Sequence, residues 1–501
     1  MRGYESFVTE VRKKVFTEVA KMAYETDDYS RIEELPYTIV PGEIASHRES
    51  IFLERAIAGE RVRLAMGLPL RPVHEHKPLS DGVNESAIAE KYYDPPLINI
   101  INYACNACPS NQVKVTDLCQ GCLSRSCQQV CPKDAVSFDH GKSVIDMDKC
   151  LRCGKCVDAC PYHAIVKLER PCEAACGMDA IEQDEHGRAK INYDKCVSCG
   201  QCLVSCPFGA IVDKGQIFQL IHAIKKGYKV YAIVAPAFVG QFGDFLTPEK
   251  LTAAMKLLGF EGVVEVAVGA DLCTLDEAKE YLERVPEGNT YMGTSCCPAW
   301  ISMVETYFPD QIDRISMTLT PMVLTARMVK KEHPDAKVCF VGPCAAKKLE
   351  ASRPHIRSDV DFVLTFEELQ GMFEAKNVWY ADVVGNDPLD KASADGRGFA
   401  VSGGVAAAVQ NVVKKLDPSV EMKIMGAEGL RECRKMMVQA KAGKLNGYLL
   451  EGMACPGGCI AGAGTIRPIK KAAMLIGKYK QEAPVTSATE SSFKDLVDKL
   501  D

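Results

Sequence analysis

A chain of 501 residues, 47% hydrophobic and 25% charged, has room for two or three domains with cores of their own, and this ordinary balance excludes fibrous, disordered and membrane-embedded classes. The net charge of -6 and the lack of any Lys/Arg-rich block give no support to nucleic-acid or anionic-membrane partners. The departure from the ordinary is a count of 24 cysteines.

The opening residues, Met1-Arg2-Gly3-Tyr4-Glu5, lack the apolar run of a secretory signal, and no stretch of about 18 apolar residues follows, so no membrane span and a cytoplasmic location are expected. In that reducing compartment dense cysteine reads as metal ligation rather than disulfides. Residues 1–95 read as a helical N-terminal region: Phe7, Val11, Val15, Val19 and Met22, then Leu53, Ala56, Ile57 and Leu64, recur at helical spacing and suit a packing or docking layer. Residues 96–213 carry sixteen cysteines between Cys105 and Cys206, separated by short strand-like pieces such as Ser143-Val144-Ile145-Asp146. Residues 214–480 alternate apolar strands (Tyr228 to Val234, Gly262 to Val268, Val338 to Val341, Glu421 to Met425, Gly447 to Leu450) with helical patterns, which predicts an α/β catalytic domain. Residues 481–501 are polar with one amphipathic segment and are expected to form a tail helix.

The cysteine-rich segment contains a repeat. Cys150-x2-Cys153-x2-Cys156-x3-Cys160-Pro161 recurs as Cys196-x2-Cys199-x2-Cys202-x3-Cys206-Pro207, the bacterial ferredoxin signature, in which three thiolates ligate one 4Fe-4S cubane and the fourth serves its neighbour. An α+β ferredoxin-like domain follows from it. A looser copy, Cys119-x2-Cys122-x4-Cys127-x3-Cys131-Pro132, pairs with the Cys150 motif by the crossing rule. That gives one cluster on Cys119, Cys122, Cys127 and Cys160 and another on Cys150, Cys153, Cys156 and Cys131. Cys176 would complete a third with Cys196, Cys199 and Cys202. Cys172 and Cys206 then need two more ligands, and the spare pair upstream is Cys105-x2-Cys108; the alternative is that Cys105 and Cys108 are free thiols and three auxiliary cubanes form.

Three further motifs lie far apart: Thr294-Ser295-Cys296-Cys297-Pro298, Gly342-Pro343-Cys344-Ala345-Ala346-Lys347-Lys348-Leu349-Glu350, and Glu451-Gly452-Met453-Ala454-Cys455-Pro456-Gly457-Gly458-Cys459. They point to one more four-thiolate site, on Cys297 or Cys296 with Cys344, Cys455 and Cys459. No Gly-x-Gly-x-x-Gly follows a strand, so neither flavin nor nicotinamide is expected. Cys273, Cys339 and Cys433 have no partner at ligand spacing and read as buried structural thiols.

In this order the three motifs resemble the signatures of FeFe-hydrogenases, and the resemblance extends from roughly Val230 to Pro468. It implies an H-cluster: a cubane on Cys297, Cys344, Cys455 and Cys459, with Cys459 bridging to a di-iron unit that carries CO, cyanide and an azadithiolate. It further implies reversible interconversion of H2 with protons, electrons exchanged with a ferredoxin-type carrier, and dependence on hydrogenase maturation proteins. By the same resemblance Cys296 relays protons, followed by Glu277, Ser316, Glu280 and Arg284; Glu277 and Glu280, three apart on an expected helix, share a face. Lys347 would hydrogen-bond a cyanide, with Glu350 holding it, while Ala235, Pro236, Ala237 and Met453 would pack against the di-iron unit. Three positions depart from the best-known members: Ala237 stands for Ser, Met322 for Gln and Gly342 for Met, which resembles a divergent, group B-like branch. Two rival readings are a hydrogen sensor built on the same cofactor and a non-catalytic, hydrogenase-like iron-sulfur assembly protein.

Overall fold

The computed structural model describes residues 5–285, 290–385, 387–389 and 391–500. The chain opens on α1 (Phe7–Glu25), started by a reciprocal cap: the Thr9 N–H donates to Ser6 Oγ at 3.3 Å and the Ser6 N–H to Thr9 Oγ1 at 2.9 Å. The stripe of Val11, Val15, Val19 and Met22 is buried. α2 (Ile51–Ala65) begins at Ser50, which caps Leu53 N–H in the same way.

Eight short strands follow: β1 (Ile98–Ile100), β2 (Gln112–Val115), β3 (Val136–Asp139), β4 (Lys142–Ile145), β5 (Ile165–Leu168), β6 (Ile181–Gln183), β7 (Ala189–Ile191) and β8 (Ile211–Asp213). They form four antiparallel pairs, β1 with β8, β2 with β5, β3 with β4 and β6 with β7, so the cysteine motifs occupy loops nested between paired strands. This is the α+β ferredoxin-like arrangement.

The remainder is α/β. Its elements are β9 (Val230–Val234), β10 (Gly262–Glu265), α3 (Ala267–Arg284), β11 (Met292–Gly293), β12 (Lys337–Gly342), α4 (Ala346–Glu350), β13 (Phe362–Thr365), α5 (Phe366–Ala375), β14 (Lys423–Glu428), β15 (Tyr448–Met453) and α6 (Ile469–Gln481), with further helices between. Two parallel sheets result, ordered β10-β9-β12-β13 and β11-β15-β14. Strands covered on both faces carry unbroken apolar runs, as Val230 to Val234 and Val338 to Val341 do.

The N-terminal helices share one core with this α/β region. α1 lies against α5 so closely that a side chain at Gly371 would place its Cβ 2.5 Å from Phe16 Cβ. A buried ionic network ties three regions together: Lys348 Nζ meets Asp213 at 2.8 Å and Glu368 at 3.0 Å, while Arg12 meets Glu367 at 2.5 Å and Asp213 at 3.6 Å. Breaking such a network leaves an uncompensated charge, so it fixes the relative placement of α1, β8, α4 and α5.

Two expectations are corrected. The strand predicted to run to Val268 stops at Glu265, because Ala267 already opens α3 and Val266 bridges the two elements. The tail helix from residue 481 is not formed: α6 ends at Gln481, and beyond it lie two short 3-10 turns, Ala488–Glu490 and Lys494–Lys499. Phe493, Leu496, Val497 and Leu500 all pack on the core, but the segment that carries Leu496 and Val497 and is flanked by Phe493 and Leu500 is a six-residue 3-10 turn, not a tail helix.

Candidate metal centre

Parallel strands deliver their following loops to one end, and both sheets deliver theirs to the same place. β9 leads into Ala235-Pro236-Ala237, β11 into Thr294 to Cys297, β12 into Pro343-Cys344 and β15 into Ala454-Cys455. Together they enclose a cavity of about 90 Å³. Its wall contains Cys296, Cys297, Cys344, Cys455 and Cys459, and also Ala235, Pro236, Ala237, Met322, Lys347 and Met453. Close backbone approach needs glycine here: a Cβ at Gly462 would sit 2.4 Å from the Pro343 carbonyl oxygen.

Burial pushes the thiols up, Cys344 to about 11 and Cys459 to about 12, with neighbouring thiols adding repulsion. Thiols held this way become ligands when a metal core supplies the missing positive charge. The one cation in the wall is Lys347. Burial would lower its pKa, but Glu350, Cys344 and Cys296 outweigh burial and the net shift is upward. Its Nζ lies 2.7 Å from Glu350 Oε2, a buried ion pair that engages the ammonium on one side only. Glu350 is itself held by Thr320 Oγ1 at 2.7 Å. A buried ammonium whose one carboxylate partner leaves donors uncommitted, in a wall of thiols and apolar groups, fits a bound cluster whose ligands accept hydrogen bonds.

Glu277, on α3, is fully buried and its carboxyl is pushed up to about 8, by burial first and then by Glu280 and Glu451 against the pull of Ser295. Ser295 donates to Glu277 Oε1 twice, from N–H at 2.7 Å and from Oγ at 3.0 Å; Oε2 has no partner. Further along the same helix Ser316 Oγ donates to Glu280 Oε2 at 2.5 Å, and Arg284 pairs with Glu280. The predicted relay residues therefore fall in two groups, Glu277, held by the unpredicted Ser295, and Ser316 with Glu280 and Arg284. Glu277 and Ser316 share no hydrogen bond among the described residues.

The other predicted ligands gather in bays. Cys131, Cys150, Cys153 and Cys156 line one cavity of about 20 Å³, and Cys105, Cys108, Cys172 and Cys206 line a second of the same size, where Arg170 donates to the Cys108 carbonyl at 3.0 Å. Cys202 is buried and repelled by Cys199, Cys196 and Cys176. Cys119 and Cys127 converge on Ser143, whose N–H lies 3.4 Å from Cys119 Sγ and whose Oγ lies 3.7 Å from Cys127 Sγ, while Cys160 shares that small core and Cys122 stands on the loop between them. Among the described residues no three such side chains converge tightly enough to hold a single metal ion. Thiols that ring a space rather than meet at a point are what a cubane requires.

Sequence reasoning missed four groups. Cys199 lines the central cavity as well as belonging to its own set, which brings the nearest auxiliary site to the cavity wall. Gln201 Nε2 donates to Cys455 Sγ at 3.0 Å, with no sequence signal to announce it. Ser295 stands next to Cys296 and was in view. Phe340 lines the cavity where Gly342 does not: a Cβ at Gly342 would lie 2.5 Å from the Phe340 ring. The two share one face of β12, so their alternation was the available signal.

A cavity built from thiolate motifs at the ends of two parallel sheets, fed by a ferredoxin-like region, defines an iron-sulfur redox protein. Residues 228–463 match the iron only hydrogenase large subunit, C-terminal domain, and residues 143–166 and 189–212 match the 4Fe-4S binding domain. Residues 228–463 thus carry the iron-only hydrogenase large-subunit domain, and the chain is similar to iron-only hydrogenases at low identity. It is 28% identical over 442 residues to iron hydrogenase 1 of Clostridium pasteurianum, covering 77% of this chain and 75% of that one. It is 30% identical over 363 residues to the NADP-reducing hydrogenase subunit HndD of Solidesulfovibrio fructosivorans, covering 63% and 55%. It is also 27% identical over 279 residues to the cytosolic Fe-S cluster assembly factor narfl of Danio rerio, covering 45% and 68%. No helix among the described residues is long and apolar enough to cross a membrane.

Proposed function

We propose that this protein is a cytoplasmic, ferredoxin-linked hydrogenase that catalyses reversible proton reduction and H2 oxidation. The observation that carries the reading is the central cavity, whose wall holds six cysteines and the buried Lys347, ion-paired on one side to Glu350. Cys297, Cys344, Cys455 and Cys459 would hold the cubane of an H-cluster, and its di-iron unit, installed by maturation proteins, would supply the chemistry of H2 when bound.

This chain's own residues do the rest. Lys347, kept charged by Glu350, presents donors to the cofactor's acceptors, and Ala235, Pro236, Ala237 and Met453 exclude water. Cys296 passes protons between the cavity and Glu277. Glu277 Oε1 already accepts two hydrogen bonds, so its proton resides on Oε2. Ser316, Glu280 and Arg284 complete the path towards the surface. A pKa of about 8 keeps Glu277 close to ambient pH, where a group exchanges protons in both directions. Four auxiliary 4Fe-4S clusters on the sixteen upstream cysteines would carry electrons, and Ala237, Met322 and Gly342 place the chain near the group B-like branch.

The rival reading, an iron-sulfur assembly protein, is favoured by the relative of that kind. Infrared spectra of the matured protein separate them: bands from CO and cyanide are expected, and their absence sinks the hydrogenase reading. Cys296→Ala should then keep those bands while H2 turnover falls about a hundredfold or more, the scale of a lost general acid-base step; turnover surviving largely intact removes Cys296 from the proton path.

A further inference from the structure

We infer that a cavity between the N-terminal helices and the ferredoxin-like region binds a small apolar monocarboxylate. Its volume is about 290 Å³, against about 90 Å³ for the central cavity, and no cysteine lines it. Small-molecule sites begin at roughly this size.

The charge that calls for a ligand is Arg61, on α2, which lines the cavity and is 5% exposed. Its Nη2 donates to the Gly209 carbonyl at 2.7 Å, its Nε has no hydrogen-bond partner, and no carboxylate pairs with it among the described residues. The other buried cations are met differently. Arg12 faces Glu367 and Asp213, and Lys348 faces Asp213 and Glu368. Arg63, also buried, is engaged by three carbonyls, those of Pro69, Leu79 and Asp81. Arg61 has one. Burial first, then Arg12 and Arg48, push its guanidinium down to about 10, so it remains charged at neutral pH and its charge is unmet. A buried charge is costly until paired.

The rest of the wall defines the ligand. Arg48 also lines the cavity, and its Nη2 donates to the Phe208 carbonyl at 2.8 Å. Glu54 is in the wall too, but its Oε1 accepts from the Ser46, His47 and Arg48 N–H groups at 3.1, 2.6 and 2.9 Å. Two guanidinium groups against one carboxylate leave a single surplus positive charge, which a monoanion neutralises and a dianion overshoots. Val8, Val11, Val40, Ile57, Ala58 and Phe208 make the remaining wall apolar, and the stacked rings of Phe7 and His47 are its exposed edge. A carboxylate matches the planar fork of a guanidinium, and the apolar wall takes a compact apolar body.

Binding here has a consequence for electrons, which rests on the proposed cluster of Cys105, Cys108, Cys172 and Cys206. Pro207 and Phe208 wall both that bay and this cavity. Reduction of that cluster adds a negative charge behind the shared wall, so the oxidised chain binds the carboxylate more tightly. By reciprocity the carboxylate lowers the cluster's midpoint potential.

The test is anaerobic calorimetry on the full chain, oxidised and with its clusters in place, using benzoate as probe. Saturable binding is expected; phenyl phosphate, inorganic phosphate and the neutral benzyl alcohol should each bind about tenfold or more weaker. Arg61→Met, which keeps an apolar stem, should weaken benzoate about tenfold or more, the scale of a charge-assisted hydrogen bond. Ala58→Leu, which keeps both guanidinium groups and occupies volume, should weaken it as well, as should Arg48→Gln at a half-buried side chain where loss of Arg61 impairs folding. Lys444→Gln, exposed and outside the cavity, should leave it unchanged. Equal iron content and urea midpoints without benzoate show that the variants are intact. The site is overturned if benzoate does not saturate, if either phosphate binds as well, or if the cavity variants do no more than Lys444→Gln. In a redox titration followed by electron paramagnetic resonance, benzoate should lower one auxiliary midpoint in the parent and not in Arg61→Met; unmoved midpoints overturn the linkage. Neither readout uses H2 or the CO and cyanide bands, so failure here and failure of the hydrogenase reading are told apart.

Discussion

The ferredoxin-like region and the α/β region hold thiols by opposite means. In the α/β region the ligands follow strands of two buried parallel sheets, so their positions are set before any metal arrives. In residues 105–206 the strands are three or four residues long and the ligands sit in loops or on helices of four or five residues. Among the described residues, nine of the ten non-glycine residues at positive φ, from Ala107 to Ser198, lie in this region; the exception is Asn377. Each costs about 1 kcal/mol or more relative to an ordinary backbone. A region with small cores and that much unfavourable backbone needs an additional source of stability, and metal-thiolate bonds are the available one.

The largest effect expected from this contrast follows iron removal. In chain prepared without iron, amide exchange across residues 105–206 should rise to near-unfolded rates, while strands Val230–Val234, Lys337–Gly342 and Tyr448–Met453 stay protected. Equal protection of the two regions in the iron-free chain would erase the distinction.

A smaller effect concerns the α/β region's buried acid. Glu277 is raised from an ordinary 4.5 to about 8, so the folded chain keeps a proton that the unfolded chain releases. Its contribution is neutral below about pH 4.5, becomes steadily less favourable as pH rises towards 8, and is constant above that. At about 1.4 kcal/mol per unit the total is on the order of a few kcal/mol. Glu277→Gln removes the dependence, so the variant's urea midpoint should gain on the parent's between about pH 5 and pH 8. Parallel curves would show that the carboxyl is not held neutral.

Much of this was legible from spacing. The repeated Cys-x2-Cys-x2-Cys-x3-Cys-Pro motif fixed how thiols group, and arithmetic on the leftover cysteines reached the set Cys105, Cys108, Cys172 and Cys206 that the structure places around one cavity. The strands were visible because parallel strands are apolar on both faces. Contacts between distant segments were not: Gln201 reaches Cys455 across 254 residues, and Lys348 meets Asp213 across 135. The tail misled because the apolar spacing of Phe493, Leu496, Val497 and Leu500 places one face on the core as well from a short 3-10 segment as from an α-helix.

The smallest effect tests the shape of the cavity itself. Gly342 looks like a loss in sequence, a side chain missing from the wall, but the Phe340 ring occupies the space that such a side chain would enter, with Ala235 Cβ at 3.2 Å on its other side. Cores respond to added methylenes by shifting rotamers and backbone, at roughly 1–3 kcal/mol. Gly342→Met alone should therefore destabilise the chain by about that amount, read from the urea midpoint. Phe340→Ala alone should also destabilise it, by opening a cavity. The double variant should cost less than the two singles added, because the Met side chain fills the volume that the ring vacates. That coupling is the decisive quantity. If the two costs simply add, residues 340 and 342 do not share one space, and the wall facing the cofactor site is not built by exchanging one side chain for the other.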